Sequence, residues 1–205
     1  MPRKKNARTG NTRELILRSA YQLFLERGYH ATSMRAIARR AGLTVAAAYN
    51  HFANKEQLYT AVLSIHQPYN RILPALSGAG GDTVEEFLST AARLIVEALD
   101  REPGFLKLIL IEIVEFKNKH IPKMFREIYP QLIAVVQSAA ALKGRLRPLP
   151  PAVLVRSFIG LIYSLYITDL IIWKHLPASM QTDCLDDFVD IYLHGVVESS
   201  PAAAE

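Results

Sequence analysis

The chain has 205 residues, half of them hydrophobic, with 10 glycines, 11 prolines and a single cysteine, Cys184. That composition excludes a disordered chain and an internal disulfide scaffold, and it leaves room for one large domain or for a small domain joined to a larger one. The net charge of +5 is unevenly spread: residues 1–66 carry 11 Lys and Arg against 3 Asp and Glu, whereas residues 67–205 carry 13 against 16. A basic end on a mildly acidic body points to a polyanion-binding head on a body with another task.

The N-terminal MPRKKNARTGN is basic and is not followed by an uninterrupted apolar stretch, so it does not read as a secretory signal; residues 1–11 are expected to form a flexible basic arm. Its Arg3, Lys4, Lys5 and Arg8 either follow a DNA backbone, enter a minor groove or stay solvated. A first helix follows, with Asn11 and Glu14 spaced as a capping box, Ile16, Ala20, Leu23 and Phe24 on one face, and Gly28 at its end. TSMRAIARRAG reads as a short second helix with Thr32 as N-cap and Met34, Ile37, Ala38 and Ala41 inward, closing at Gly42. Leu43 leads to a new cap, Thr44, and to AAAYNHF, too short to be stable alone. Two short helices joined through Gly42, Leu43 and Thr44 predict a helix-turn-helix whose second helix enters a major groove. Small side chains on its leading turn allow a close approach, and Val45 and Ala46 offer methyl groups to thymine. Asn54 and Gln57 then open a further helix, 54–66, with Leu58, Val62 and Ile65 apolar.

Beyond Gln67 the pattern is of long helices. QPYNRILPALSGAGGD, with Pro68, Pro74 and three glycines, reads as a break; its GAGG follows no strand and is not a phosphate loop. Helices are predicted over 83–100, 104–119, 122–142, 151–175 and 182–199, with Pro130 a candidate kink. The stretch 158–173 contains Ser164 and Asp169 and falls short of the roughly 20 apolar residues of a membrane span, so it reads as a buried helix; no membrane association is expected. The lone Cys184 fits a reducing cytoplasm.

TSMRAIARRAGLTVAAAYNHFANKEQLY closely resembles the DNA-binding segment of the tetracycline-repressor family: a threonine, an Ile-Ala pair, Ala-Gly, a polar N-cap, Tyr-x-His-Phe and Lys-Glu-x-Leu. Ala46 stands where many members have glycine. The resemblance covers about residues 12–66 and implies an all-α chain: a three-helix helix-turn-helix domain over 12–58, then a larger helical ligand-binding and dimerisation domain over 59–205. By position it implies phosphate contacts from Thr32, Tyr49, His51 and the backbone near Lys55, with Ser33 at the same surface. Arg35 suits guanine, Thr44 or Val45 a thymine methyl, and Asn50 adenine or a phosphate.

Such a module reads few bases, so the expected partner is a palindromic duplex operator bound by a homodimer. The last two helices are the expected interface: Leu185, Phe188, Val189, Tyr192 and Val196 form one stripe, and the preceding helix is apolar almost all round. The family's small-molecule pocket would lie among the middle helices, with Phe87, Phe105, Phe116, Phe125, Tyr129, Tyr163 and Tyr166 as candidate lining residues and Trp173 nearby. Asp169, a carboxylate amid apolar residues, is expected to pair with Arg156 or Lys174, to pair across a dimer, or to meet a cationic effector. No enzyme motif and no cofactor signature is present. Asp186, Asp190, His194 and Glu198 fall at steps of four and read as a solvated stripe in preference to a metal site.

Overall fold

The computed structural model describes residues 3–79, 81–142, 146–177, 179, 181 and 184–196, with the backbone alone at 3–10 and at Lys174. The described residues form ten α-helices and no strand: α1 (Arg3–Arg27), α2 (Met34–Arg40), α3 (Val45–His51), α4 (Lys55–His66), α5 (Tyr69–Ser77), α6 (Val84–Arg101), α7 (Phe105–Phe116), α8 (Ile121–Ala140), α9 (Pro151–Ile171) and α10 (Leu185–Val196), with a 3-10 turn at Trp173–His175.

The chain divides into two compact units, and the division is not contiguous. Residues 1–67 and 102–125 make the first unit, residues 68–101 and 126–205 the second. A cut near residue 58 is therefore replaced by one that returns α7 to the N-terminal unit.

In the first unit, Ile16, Ala20 and Phe24 of α1, Ile37 and Ala38 of α2, Ala48 of α3 and Leu58 and Tyr59 of α4 are fully buried, together with Phe105 and Leu108 of α7. Two helix ends need glycine: Gly28 (φ +79°) and Gly42 (φ +68°) both lie in the left-handed region. Three sequence expectations change here. Helix α1 begins at Arg3 and runs through Asn11, so Asn11 is an interior residue; the Lys, Arg and Ala around it favour helix, and one glycine costs only about 1 kcal/mol. Ser33, not Thr32, caps α2, its Oγ accepting from the Ala36 amide at 3.1 Å. Ile65, assigned to the apolar side of α4, is about half exposed.

In the second unit α6 packs on α5, α9 and α10. Residues 69–77 are helical, not a break. Tyr69, Ile72, Leu73 and Leu76 recur at helical spacing, and Pro74 at the sixth position costs one amide donor without ending the helix. Leu73, Ile128 and Leu132 form a core cluster, flanked by Tyr69, Val155 and Ile159. By length and composition α9 could cross a membrane. Its Leu154, Phe158, Ile162, Leu165 and Tyr166 are buried in this unit, while Val153, Ser157, Gly160, Ser164 and Ile171 are exposed.

Candidate DNA interface and effector cavity

Around the turn between α2 and α3 the exposed side chains include Ser33, Arg35, Arg39, Arg40, Thr44, Val45, Ala46, Tyr49 and Asn50, with His51 half-buried. Residues 45, 46, 49 and 50 are neighbours on the surface of one short helix. Thr44 Oγ1 accepts from the Ala47 amide at 3.2 Å, so like Ser33 it satisfies its own helix through an oxygen lone pair and retains a hydroxyl proton to donate. The three adjacent alanines separate: Ala46 faces out, Ala47 is half-buried and Ala48 is fully buried. Of the three, only Ala46 is placed on the open surface, while Ala48 lies in the core.

Two residues assigned to phosphate by their place in the motif do something else. Thr32 is buried, and its hydroxyl donates toward the carbonyls of Gly28 (2.8 Å) and Leu23 (3.2 Å). The Lys55 ammonium turns inward, donating at 2.6 Å to both the Tyr29 and Thr32 carbonyls and lying 4.0 Å from the centre of the Tyr29 ring. Burial pushes the Lys55 pKa down. Its side chain is thus a staple for the loop between α1 and α2. What remains for an anion at this point is the Lys55 amide, which opens α4 and has no acceptor within that helix.

The same loop is gripped from α7. Glu115 accepts from the amides of Tyr29 (2.9 Å) and His30 (2.6 Å), residues 86 and 85 positions away in sequence. One turn earlier, the fully buried Glu112 accepts from the His120 amide at 2.6 Å and faces His120 Nδ1 at 3.0 Å, while His120 Nε2 lies 3.2 Å from Glu56. Lys119 completes the group at 2.7 Å from Glu56. A bidentate Arg40–Glu26 pair, at 2.6 and 2.8 Å, ties α2 to α1. Sequence periodicity did not disclose these contacts; the only hint was two acidic residues in α7, which apart from them and Lys107 is apolar.

Lys119 first and His120 second hold the Glu56 pKa below its ordinary value of 4.5. Between the two values the folded chain therefore binds fewer protons than the unfolded one, and stability rises with pH there. Urea melts are expected to lose stability as pH falls below about 4.5, and Glu56→Gln should flatten that acid limb. An unchanged limb would remove Glu56 from the account.

In the second unit a cavity of about 90 Å³ lies among α5, α6, α8, α9 and α10. Aliphatic side chains, Phe87 and Phe158 dominate its walls, and Tyr69, Tyr163 and Tyr192 border it through their rings. The Tyr69 and Tyr163 hydroxyls are 3.1 Å apart. Burial pushes both phenols up. Tyr192 donates instead to the Leu154 carbonyl at 2.9 Å.

Residues 16–62 match the family model for bacterial regulatory proteins of the tetR family. Those residues are a DNA-binding domain of that family. The HTH-type transcriptional regulator YvkB of Bacillus subtilis is 24% identical over 187 residues, spanning 90% of this chain and 97% of its own. The HTH-type transcriptional activator FasR of Mycolicibacterium smegmatis is 47% identical over 51 residues, only 25% of this chain and 23% of that one. In structure the chain is similar to NalD, the secondary repressor of the MexAB-OprM multidrug efflux pump in Pseudomonas aeruginosa, with a TM-score of 0.67, 24% identity, and coverage of 94% of this chain and all of that one. With that helix-turn-helix domain the chain is a DNA-binding transcriptional regulator and not an enzyme.

Beyond the matched domain the eight candidate ligand residues disperse. Phe87 and Tyr163 line the cavity. Phe105 is fully buried in the first unit, and Phe116 packs there against Tyr29, Tyr59 and His120. Phe125 and Tyr129 are exposed. Tyr166 is buried but spends its hydroxyl on the Leu99 carbonyl at 3.3 Å. Asp169 does not line the cavity, and Arg156 on the same helix lies 13 residues away, about 20 Å along the axis, too far to pair within one chain. The Lys174 side chain and Glu198 lie outside the described residues. Among the described residues no cluster of metal-ligating side chains forms. Among the cavity residues that the sequence reading missed, Tyr69, Ile72 and Leu76 sit on α5, where Pro74 and the preceding Pro68 masked a helical stripe.

Proposed function

We propose that the chain works in the cytoplasm as a homodimeric repressor that binds a palindromic operator and is released when a small molecule occupies the cavity of the second unit. The observation that carries the reading is the exposed set Arg35, Thr44, Val45, Ala46, Tyr49 and Asn50 on the two short helices of a strongly basic N-terminal segment. Ser33 and Thr44 donate hydroxyl protons to phosphate, Tyr49 and His51 clamp the backbone, and Arg35 reads guanine. The basic arm adds sequence-independent attraction.

Dimerisation is supported by what the isolated second unit leaves open. On α9 the exposed residues 153, 157, 160, 164 and 171 repeat at three and four, and most are small; on α10 Ile191 is 68% exposed. A Cβ added at Gly160 or Gly195 would meet nothing within 4 Å. A stripe of this kind accepts a second copy at short range, giving a four-helix contact about a two-fold axis. Ile191→Asp should shift the chain to monomer in light scattering and weaken binding to a two-half-site duplex far more than to a single half-site. Retention of the dimer would move the interface elsewhere.

Selection of bound duplexes from a random pool at about 0.15 M salt tests the whole reading, because backbone-only binding is much reduced there. A recovered palindrome is the expected result; recovery of no motif, with and without cell extract, would reject sequence-specific binding. On the recovered duplex, Tyr49→Phe should weaken binding to all sequences alike, whereas Arg35→Ala should relax preference at one position by about 1–3 kcal/mol. Uniform loss on every sequence would make Arg35 a phosphate contact. Transcription from the recovered site, with and without the protein, distinguishes repression from activation.

A further inference from the structure

We propose that the cavity of the second unit selects an uncharged, single-ring or short-chain apolar molecule carrying one hydrogen-bonding group, which the paired hydroxyls of Tyr69 and Tyr163 orient. The inference rests on the reading of this cavity as the effector site and specifies what that site accepts.

Three observations meet. The first is the chemistry of the walls: among the described residues lining the cavity there is no Lys, Arg, His, Asp or Glu, and no Ser, Thr, Asn or Gln. An ionised ligand placed here would lose its hydration and find no opposite charge, which disfavours binding by orders of magnitude. The same surroundings resist ionisation of the protein's own groups, since burial drives the Tyr163 phenol well above its ordinary range. Asp169, the one carboxylate with a case for meeting a cationic effector, is not among the lining residues.

The second observation is size. The cavity of about 90 Å³ is smaller than the roughly 150 Å³ of an engineered apolar cavity known to take up benzene. A fused-ring compound or long chain would require several buried side chains, Ile95, Leu132 and Phe158 among them, to move together, and close-packed interiors resist this. One ring with a short substituent, or a chain of a few carbons, matches the space with modest adjustment. Water is a poor occupant because it needs two to four polar partners.

The third observation is the hydroxyl pair. The Tyr69 and Tyr163 hydroxyls, 3.1 Å apart, are turned to each other rather than into the space, so a ligand group reaches them by inserting at the pair. Each oxygen has two lone pairs and a rotatable proton. Between them they accept from a ligand hydroxyl or donate to a ligand carbonyl or ether oxygen. Tyr69 is on α5 and Tyr163 on α9, so a ligand bridging their hydroxyls ties those two helices together.

Calorimetry of the full chain at pH 7 with three probes of one shape tests this: 4-propylphenol, propylbenzene and 4-propylbenzoate. Expected is tightest binding of the phenol, about 3- to 10-fold weaker binding of the hydrocarbon, and binding of the carboxylate at least 10-fold weaker than the phenol. Tyr163→Phe should bring the phenol down to the level of the hydrocarbon and leave the hydrocarbon unchanged. Ala91→Leu and Ala139→Leu, made separately and each checked for cooperative melting, should weaken all three probes by filling the space. Failure of the phenol to bind up to its solubility limit, or a carboxylate within 10-fold of it, overturns the proposed ligand class. An unchanged phenol preference in Tyr163→Phe overturns the role of the hydroxyl pair, and binding indifferent to both cavity-filling variants overturns the site. Binding of the phenol in the cavity without any change in affinity for the selected duplex would instead leave the ligand class standing and reject the effector reading.

Discussion

Glu112→Ala is expected to destabilise the first unit by about 3–5 kcal/mol, the cost of removing one member of a buried, hydrogen-bonded charged group. Glu112 has no exposed surface, and its carboxylate takes the His120 amide at 2.6 Å and faces Nδ1 of the same residue at 3.0 Å. Truncation leaves the amide and one ring nitrogen of a largely buried histidine without their acceptor, and it opens space beside Phe116 and Tyr59. Glu112→Gln keeps a carbonyl acceptor of similar shape and should cost distinctly less. The measurement is urea denaturation followed by circular dichroism, with duplex binding recorded on the folded fraction. A loss under 1 kcal/mol for the alanine variant would mean that water replaces the carboxylate and that the group contributes little to holding α7.

Tyr59→Ala should cost a similar amount, about 3–5 kcal/mol, for a different reason. The ring is fully buried, stacked on Phe116 at 4.6 Å and edge-on to Phe24 and Tyr29, and its hydroxyl donates to the Leu108 carbonyl at 2.9 Å. Most of the loss is cavity and dispersion, so Tyr59→Phe, which keeps the ring and loses one bond to a carbonyl that α7 itself also uses, should cost about 0.5–1.5 kcal/mol. His120 touches both Tyr59 and Glu112, so the two alanine substitutions should not add: a coupling of about 0.5–3 kcal/mol is expected in the double variant. Strict additivity would mean that the aromatic cluster and the carboxylate support α7 independently.

Local chemistry made part of this architecture readable. Thr44 and Asn54 cap α3 and α4 as their side chains suggest, and Gly28 and Gly42 end helices in the conformation that glycine tolerates. The exposed positions of α2 and α3 followed from a motif in which each residue's spacing has a steric meaning. What could not be read is everything decided by partners distant in sequence. Periodicity shows that Phe105 and Phe116 face inward but not into which unit, and nothing in KEQLY says that the lysine turns back to the Tyr29 and Thr32 carbonyls. Thr32 and Ser33 are both acceptable caps; packing against α1 decides between them. In α5, Pro74 obscured a stripe that neighbouring helices stabilise despite the missing amide.

The return of residues 102–125 to the N-terminal unit has a consequence for the order in which the protein is made. A ribosome that has released residue 67 has delivered every residue proposed to meet DNA, yet Glu112, Glu115 and Phe116 do not exist until roughly 50 more residues are joined, ~2.5–10 s at ordinary elongation rates. During that interval the side of α1 and α4 bearing Phe24 and Tyr59 has no α7 to cover it, and the loop at Tyr29 lacks its carboxylate. The first segment to emerge is thus not finished until more than half of the chain has been made, and over that interval its aromatic side chains stay uncovered.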